Sequence, residues 1–228
     1  QENRGLAATL NRGINEARSQ IIFRQDQDDI SHPERITRQM QFFNQNPDCV
    51  LLGTWARILH ADGRNSGRTH RHPVSDTAIR SFMCRDNPFV HSSVAFRKKA
   101  ALAAGCYSTD RKRQPPEDFE FWSRLIHQGK AANIPEFLLD YREVPTSMSR
   151  TGLNPFLEKV VLISAENMAY ASENFMNTEE CLSFTRRLHG LQTETIDVAG
   201  FRKLLFTIRK KIGAAVFSEA GRVLLRIY

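Results

Sequence analysis

The sharpest change in the hydropathy pattern of this chain comes just after residue 20. The apolar run Ile21-Ile22-Phe23 leads within a few positions into Asp26, Asp28 and Asp29, and Pro33 follows shortly afterwards. An apolar, β-branched run predicts a buried strand, and a proline at this distance is typical of the first turn of a helix. The pattern therefore predicts a strand that delivers acidic side chains to the edge of an α/β sheet, where such sheets bind ligands.

Apolar periodicity predicts the remaining elements. Helical spacing predicts helices over residues 6–17, 33–44, 75–82, 100–105, 117–129, 156–176, 178–188 and 201–212. In the second of these, Ile36, Met40 and Phe43 form the predicted inward face. Apolar or alternating stretches predict strands over residues 49–59, 88–96 and 132–142. Because strand signals stop there, we expect an α/β domain over residues 1–150 and a helical extension over residues 151–228.

Length and composition are those of a protein with a sizeable core. With 228 residues, of which 41% are hydrophobic, one domain with an appendage is expected. No apolar run reaches the roughly 18 residues of a membrane-spanning helix, and the polar start Gln1-Glu2-Asn3-Arg4 lacks the apolar core of a signal peptide. Because the chain starts without methionine and almost directly in a helical pattern, we expect it to be a fragment without its preceding part. The four cysteines are widely spaced, which favours free buried thiols over disulfides or zinc ligands.

The net charge of +7 is concentrated at the C-terminal end. Residues 201–228 contain seven Lys or Arg and one acid, so this segment carries +6 and residues 1–200 carry +1. A nearly neutral body argues against a nucleic-acid-binding main domain, which would have its own basic face. In residues 201–212 an apolar stripe runs beside basic residues, a pattern typical of helices on anionic membrane surfaces. A helix packed on its own domain with a solvated basic face has the same pattern, and both interpretations stay open.

Two acidic clusters are candidates for chemistry. Asp26, Asp28 and Asp29 would repel one another unless a cation joined them, and ligands that are all oxygen suit Mg²⁺ or Mn²⁺. A solvated turn or a helix cap would explain the same three residues, whereas an EF-hand is disfavoured because its glycine and distal glutamate are missing. The Glu117-Asp118 pair starts a predicted helix, where acids favour the macrodipole without any catalytic role. The His70-Arg71-His72 segment is typical of a solvated basic loop rather than of a metal site.

Taken in order, the motifs of residues 3–142 resemble the family 2 glycosyltransferases of bacterial surface-glycan synthesis, which have the GT-A fold. The matching motifs are Asn3-x-Gly5-Leu6, Leu10-Asn11-x-Gly13-Ile14, Arg24-x-Asp26-x-Asp28-Asp29-Ile30-Ser31-x-Pro33-Glu34-Arg35, Asn87-Pro88-Phe89-Val90-His91-Ser92-Ser93, Glu117-Asp118-x-Glu120-x-Trp122-x-Arg124-Leu125 and Asn133-Ile134-Pro135-Glu136-x-Leu138-Leu139-x-Tyr141-Arg142. Each motif is weak by itself, and the set in this order is highly specific. The resemblance implies a Rossmann-related mixed sheet flanked by helices.

The resemblance also implies a role for each acidic cluster. Asp26 and Asp28 match the DxD motif of the family: Asp26 would contact the nucleotide sugar, and both would hold Mn²⁺ or Mg²⁺ at its diphosphate. Asp118 matches the catalytic base that takes the proton from the acceptor hydroxyl, and Glu117 would tune it. The other donor-binding residues that the resemblance implies are Asn3, Asn11, Arg24 and His91.

The chain departs from the family pattern in two places. The first strand–helix–strand–helix–strand segment of the GT-A domain, which forms the nucleobase pocket, is expected to be missing, so this polypeptide could be inactive by itself. Many relatives also carry a histidine shortly after the Tyr-Arg pair, where this chain has Glu143-Val144, and His91 is a candidate to compensate.

The function that the resemblance implies is inverting sugar transfer from a nucleotide-diphosphate sugar to a glycan or polyprenyl-linked acceptor. We expect this transfer in the cytoplasm, at the inner face of the cell membrane, with peripheral membrane contact through residues 201–228 and no nucleic-acid partner. The alternatives are a non-catalytic scaffold that retains the fold, and a basic module that binds membrane or nucleic acid through residues 201–228.

Overall fold

The computed structural model describes residues 4–144, 153–172 and 177–191, and the single positions 202 and 206. The chain divides into two compact units. The first comprises residues 1–75 and 89–153, and the second comprises residues 76–88 and 154–228. The two units do not follow one another along the chain, because the short segment 76–88 groups with the C-terminal helices. The predicted domain boundary at residue 150 stays a prediction.

The first unit contains four helices and six strands among its described residues. In chain order they are α1 (Leu6–Glu16), β1 (Ile21–Phe23), β2 (Ile30–Ser31), α2 (Arg35–Gln45), β3 (Cys49–Leu59), β4 (Asn65–His70), β5 (Ala95–Arg97), α4 (Lys98–Ala103), α5 (Glu117–Leu125) and β6 (Lys130–Arg142). Short 3₁₀ turns span His91–Ser93 and Ile126–Gln128. The second unit contributes α3 (Asp76–Met83), α6 (Leu153–Ala171) and α7 (Thr178–Leu188).

The strands form one mixed sheet in the order β1-β5-β3-β6-β2, with β4 paired to β3. The pairing of β3 with β6 is parallel and the others are antiparallel. Strand β3 is buried along most of its length, as expected where helices cover a sheet. Strand β6 is buried at Ala131, Asn133, Ile134, Leu138 and Leu139 and is partly or fully exposed elsewhere. This architecture confirms the predicted α/β class with a mixed sheet.

The α2 side of the sheet shows which helix face is buried. Phe43 packs with Ile21, Leu52 and Leu138 in a hydrophobic cluster. The predicted inward position of Ile36 is wrong, because its side chain is 58% exposed. Two polar residues of α2, Arg35 and Gln39, are buried instead and bond to backbone carbonyls of neighbouring segments, as the next subsection describes.

The predicted strand over residues 88–96 is also largely wrong, since only its end, in β5, is extended. Residues His91–Ser93 form a 3₁₀ turn in which Ser93 N donates to Val90 O at 2.8 Å. Ser93 Oγ donates to the same carbonyl at 2.8 Å. Serine hydroxyls that bond to nearby backbone compete with ladder pairing, and here the local bonds replace the strand.

The second unit is helical in its described part. Asn167 Nδ2 donates to Met83 O at 3.2 Å and Ser164 Oγ donates to Arg85 O at 2.9 Å, which ties α6 to the end of α3. Helix α7 begins with a capping box between Asn177 and Glu180. The predicted helices over 156–176 and 178–188 are thereby confirmed within the described residues. The predicted helix over 201–212 lies outside them, apart from positions 202 and 206.

Two further predictions concern the whole chain. All four cysteines are free and buried, as predicted. Within the described ranges, none of the helices combines the length and the apolar character needed to cross a bilayer.

Candidate active site

Arg24, directly after β1, and Asp26 meet the 3₁₀ turn His91–Ser93. Arg24 N donates to Val94 O at 3.0 Å, which continues the β1–β5 pairing by one residue. The Arg24 side chain is only 7% exposed, so its guanidinium is a buried positive charge. A buried cation requires nearby acceptors or anions, and the following residues supply them.

Asp26 is held by Arg24 and Ser92. Its Oδ2 atom forms an ion pair with Arg24 Nη1 and accepts a hydrogen bond from Ser92 Oγ at 2.8 Å. Ser92 Oγ in turn accepts hydrogen bonds from Arg24 Nη1 and from Asp26 N, both at 3.0 Å. Burial raises the pKa of Asp26, but the hydrogen bond and charge of Arg24, together with Ser92, outweigh burial and hold the pKa below its usual range. Asp26 is therefore a carboxylate at neutral pH.

The acidic turn, residues 26–29, ends against strand β6. Arg142 N donates to Asp29 Oδ1 at 2.7 Å, and Arg142 Nε donates to Asp28 O at 3.0 Å. Asp29 Oδ2 is buried without a hydrogen-bond donor, because the single hydroxyl hydrogen of nearby Ser92 goes to Asp26. Burial raises the pKa of Asp29, and the charges of Asp26 and Asp28 add to the increase. The side chain of Asp28 is exposed.

A buried guanidinium lies beneath this turn. Arg35 is 2% exposed; its Nη2 donates to Arg24 O at 2.8 Å and to Val94 O at 3.1 Å, and its Nη1 donates to Gln25 Oε1 at 2.8 Å. Gln25 Nε2 then donates to the backbone carbonyls of Asp26 and Asp29 at 3.1 and 2.9 Å. Arg35 and Gln25 together fix the backbone on both sides of Asp28.

His91 connects the turn to a buried tyrosine. His91 Nε2 lies 3.0 Å from Tyr107 Oη. Asn11 clamps Tyr107 from α1: its Nδ2 donates to Tyr107 O at 2.8 Å, and its Oδ1 accepts from Tyr107 N at 2.9 Å. Burial and the charge of Arg24 lower the pKa of His91 to about 3, with Asp26 acting in the opposite direction. His91 is therefore neutral at pH 7.

The first turn of helix α5, which contains Glu117 and Asp118, lies near Asp26 and Tyr107. Burial raises the pKa of Glu117, and the charge of Asp26 acts in the same direction, whereas its own backbone N–H and Arg24 lower it. Asp118 is partly buried, and its charge acts on Tyr107. Glu120 is 2% exposed and pairs with Arg124 at 2.6 Å and Arg113 at 3.1 Å. Glu120 thus stabilises the helix rather than taking part in the cluster.

The predicted site residues fall into three groups. Arg24, Asp26, His91, Glu117 and Asp118 are close enough to act on one another's charges or on the common neighbour Tyr107. Asp28 is exposed to solvent at the edge of the cluster. Asn11 is connected to the cluster through its hydrogen bonds to Tyr107. Asn3 lies outside the described residues. The roles of all these residues stay predictions.

Three residues of the site were missed from the sequence. Ser92 bridges Arg24 and Asp26, Tyr107 bonds to His91, and Arg35 underlies the turn. The spacing Arg35, Gln39, Phe43, which places all three on one helical face, could have identified Arg35 as buried. Ser92 lies in the quoted motif Asn87–Ser93 but was given no role, and no comparable local signal marks Tyr107.

The carboxylates of the acidic turn fit a divalent cation that needs few protein ligands. Asp28 is exposed, and the described residues supply no donor to Asp29 Oδ2, so oxygen acceptors remain on this turn. Within the described ranges, no group of three or more His, Cys, Asp or Glu forms a metal cage. Mg²⁺ is typically bound by one or two carboxylates, with water and substrate phosphates completing its shell, and that mode suits this donor set.

The neutral state of His91 leads to a pH prediction. A histidine whose folded pKa lies below its unfolded value of about 6.5 binds more protons when unfolded, so folding stability falls as pH drops below 6.5 toward 3. Between pH 7 and pH 5 this linkage amounts to at most about 2 kcal/mol. His91→Gln, which keeps a partner for Tyr107 Oη, should reduce the loss of urea-unfolding free energy over that range. An equal loss in wild type and variant would contradict a buried neutral His91.

Comparisons with known proteins point to one enzyme family. The family profile described as Glycosyl transferase family 2 matches residues 1–105. The amylovoran biosynthesis glycosyltransferase AmsE of Erwinia amylovora is 34% identical over 143 residues, which cover 62% of this chain and 52% of that protein. The Escherichia coli UDP-Gal:alpha-D-GlcNAc-diphosphoundecaprenol beta-1,3-galactosyltransferase is 28% identical and covers 67% of this chain and 54% of its own length. The chain thus spans about half the length of these relatives.

The fold has a solved counterpart. Staphylococcus aureus TarS, residues 1–349 in complex with UDP-GlcNAc, superimposes with a TM-score of 0.56 at 11% identity, covering 94% of this chain and 64% of TarS. At that identity the likeness concerns the fold.

Proposed function

Because the chain belongs to glycosyl transferase family 2 and has the GT-A fold, we propose that it transfers a sugar from a nucleotide-diphosphate sugar to a glycan or lipid-linked acceptor, with inversion at the anomeric carbon. The observation that carries this proposal is the convergence of Asp26, Arg24 and the Glu117-Asp118 pair in one cluster. The relatives include an amylovoran biosynthesis enzyme and a galactosyltransferase acting on a diphosphoundecaprenol-linked sugar, which supports a role in cell-surface polysaccharide synthesis. The reaction would take place at the cytoplasmic face of the membrane.

The proton transfer is assigned to Asp118. As the acceptor hydroxyl attacks the anomeric carbon in line, its proton passes to the Asp118 carboxylate, and the bond to the leaving nucleoside diphosphate breaks. The neighbouring Glu117, whose pKa burial raises, sets the electrostatic field around this base. A base at the start of a helix is held in place by the backbone, so little reorganisation accompanies the proton transfer.

Donor binding is assigned to the part of the cluster that contains Arg24 and Asp26. Arg24 and Asp26 fix each other through Ser92, which leaves Asp26 Oδ1 to accept a sugar or ribose hydroxyl. Neutral His91 offers a ring nitrogen rather than a charge. Asn11 acts as a positioning residue, because both ends of its amide hold Tyr107.

Asp28, with Asp26, would hold a divalent cation at the diphosphate of the donor. The cation would supply positive charge where negative charge builds up on the leaving group. Arg35 and Gln25 contribute by fixing the backbone of the turn that carries these carboxylates.

Calorimetric titration of the protein with UDP and GDP, with and without Mn²⁺, tests this proposal. We expect one of the two nucleotides to bind only with Mn²⁺, and Asp28→Ala to weaken that binding at least tenfold. Asp48→Ala is the matched control, because Asp48 is also exposed but pairs with Lys130 at 2.7 Å beside the first residue of β3. Failure of both nucleotides to bind with Mn²⁺ would contradict a donor site in this chain, and unchanged binding in Asp28→Ala would remove that residue from the site.

A further inference from the structure

An aromatic pair lies on the sheet face opposite α2. Trp55 of β3 and Phe137 of β6 are register partners with ring centroids 5.6 Å apart. Leu138, the next residue of β6, packs in the cluster with Phe43 of α2, and side chains alternate along a strand. Phe137 therefore faces away from α2, and both rings are only partly buried.

A guanidinium lies across both rings. Arg71 Cζ is 5.4 Å from the centroid of Trp55 and 5.2 Å from that of Phe137. Stacking on two aromatic faces restrains the guanidinium, so less conformational entropy is lost when it binds a ligand. The side chain of Arg71 is exposed, and its outer face and N–H edges are available to solvent.

The hairpin formed by β3, β4 and the residue after them (residues 49–71) contains four arginines. Among the described residues, Arg71 is the one of these four that has no acidic partner. Arg64 pairs with Asp62 at 2.7 Å, Arg68 pairs with Glu143, and Arg57 lies 3.6 Å from Asp140. The adjacent His70 and His72 add no charge at pH 7, because burial lowers the pKa of His70 and lowers that of His72 to about 4. The positive charge of Arg71 is thus not compensated locally.

A second guanidinium lies over the same ring. Arg57 Cζ is 5.6 Å from the Phe137 centroid, which places the two guanidinium carbons within about 11 Å of each other. The planar fork of arginine suits phosphate oxygens, and a diphosphate has two phosphoryl groups with which to reach two guanidinium groups at such a separation.

We propose that Arg71, Arg57, Trp55 and Phe137 form a second phosphate-binding site, separate from the acidic turn, whose ligand is the diphosphate of a polyprenyl-linked acceptor. The choice of the acceptor rests on the proposed function, since the diphosphate of the donor is assigned to the Asp26–Asp28 turn. The indole of Trp55 offers apolar surface next to the guanidinium, which suits a diphosphate attached to a prenyl chain. Anionic lipid headgroups present the same phosphate chemistry and are separated by the experiment.

Tryptophan fluorescence with geranyl diphosphate, in EDTA, tests this site. The chain has two tryptophans, and Trp122 is fully buried, so a ligand-dependent change reports on Trp55. EDTA removes the cation on which diphosphate binding at the acidic turn depends. We expect saturable quenching that Arg71→Gln weakens at least tenfold, whereas Arg64→Gln, a variant of an exposed and paired arginine in the same hairpin, leaves it unchanged.

Three outcomes decide the proposal. Quenching that is equal in wild type and Arg71→Gln would overturn the site. Binding to phosphatidylglycerol vesicles without binding of geranyl diphosphate would overturn the acceptor assignment in favour of lipid headgroups. Mn²⁺-dependent binding of UDP or GDP, measured on the same variants, separates the two proposals. If the wild type does not bind either nucleotide, the proposed function fails, whereas the phosphate site is unaffected.

Discussion

Replacing Asp118 with asparagine is expected to slow sugar transfer by about 10²- to 10⁴-fold, the usual contribution of a positioned general base. The amide keeps the size of the side chain but does not accept the proton of the acceptor hydroxyl at neutral pH. Because Asp118 lies on α5 and not on the acidic turn, Mn²⁺-dependent nucleotide binding should stay within about twofold of wild type. Initial rates with saturating donor and acceptor, together with calorimetry of the nucleotide, measure the two effects separately.

Two comparisons make this result specific to Asp118. Asp110→Asn also removes one carboxylate, from the exposed loop where Asp110 Oδ1 accepts from Lys112 N at 2.9 Å, and should leave transfer unchanged. Glu117→Gln removes the neighbouring carboxylate, whose pKa burial raises, and should shift the pH profile more than the maximal rate. Near-normal transfer by Asp118→Asn, or equal losses in all three variants, would remove Asp118 from its role as base.

The elements were predictable from the sequence wherever one local pattern decided the structure. Strand β3 was predicted with its observed bounds because residues 49–59 are almost continuously apolar, and α7 was predicted with its observed bounds from helical apolar spacing. No strand was predicted over residues 65–70, yet they form β4, since pairing with β3 compensates for their polar composition. Strand formation there depends on a partner strand, and local periodicity does not show the partner.

The site was predictable to a similar extent. The order of the motifs made Asp26, Asp28 and Asp118 candidates, and their roles stay predictions. The contact that organises Asp26 comes from Ser92, 66 residues away in the chain. On α2, periodicity favoured Ile36 as a core residue, whereas Arg35 and Gln39 are the buried side chains. Apolar periodicity assumes that polar residues face water, and this assumption fails where a buried polar side chain satisfies backbone carbonyls of distant segments.

The second large expected effect is on stability, and it concerns the replacement of Arg35. Burial and the nearby charge of Arg24 lower its pKa to about 10, with Asp29 acting in the opposite direction, so the guanidinium is still charged at pH 7. Replacement by methionine fills similar space but leaves the buried acceptors Arg24 O and Gln39 Oε1 without their donor, and it removes one of the two donors of Val94 O. Unsatisfied buried acceptors cost about 1–3 kcal/mol each. We expect Arg35→Met to lower the free energy of unfolding in urea by about 3 kcal/mol or more.

Nucleotide binding shows whether Arg35 supports the acidic turn or only packs in the core. Arg35→Lys keeps the charge but lacks the fork that reaches Arg24 O and Gln25 Oε1 together, so Mn²⁺-dependent nucleotide binding should weaken at least tenfold even if this variant stays folded. Arg38→Met is the matched control on the same helix: Arg38 is exposed and pairs weakly with Glu34 and Glu136 at 3.8 and 3.6 Å. Surface pairs of this type contribute about 1 kcal/mol or less. If Arg35→Met destabilises the protein no more than Arg38→Met, or if Arg35→Lys binds nucleotide normally, the guanidinium does not hold the acidic turn in place.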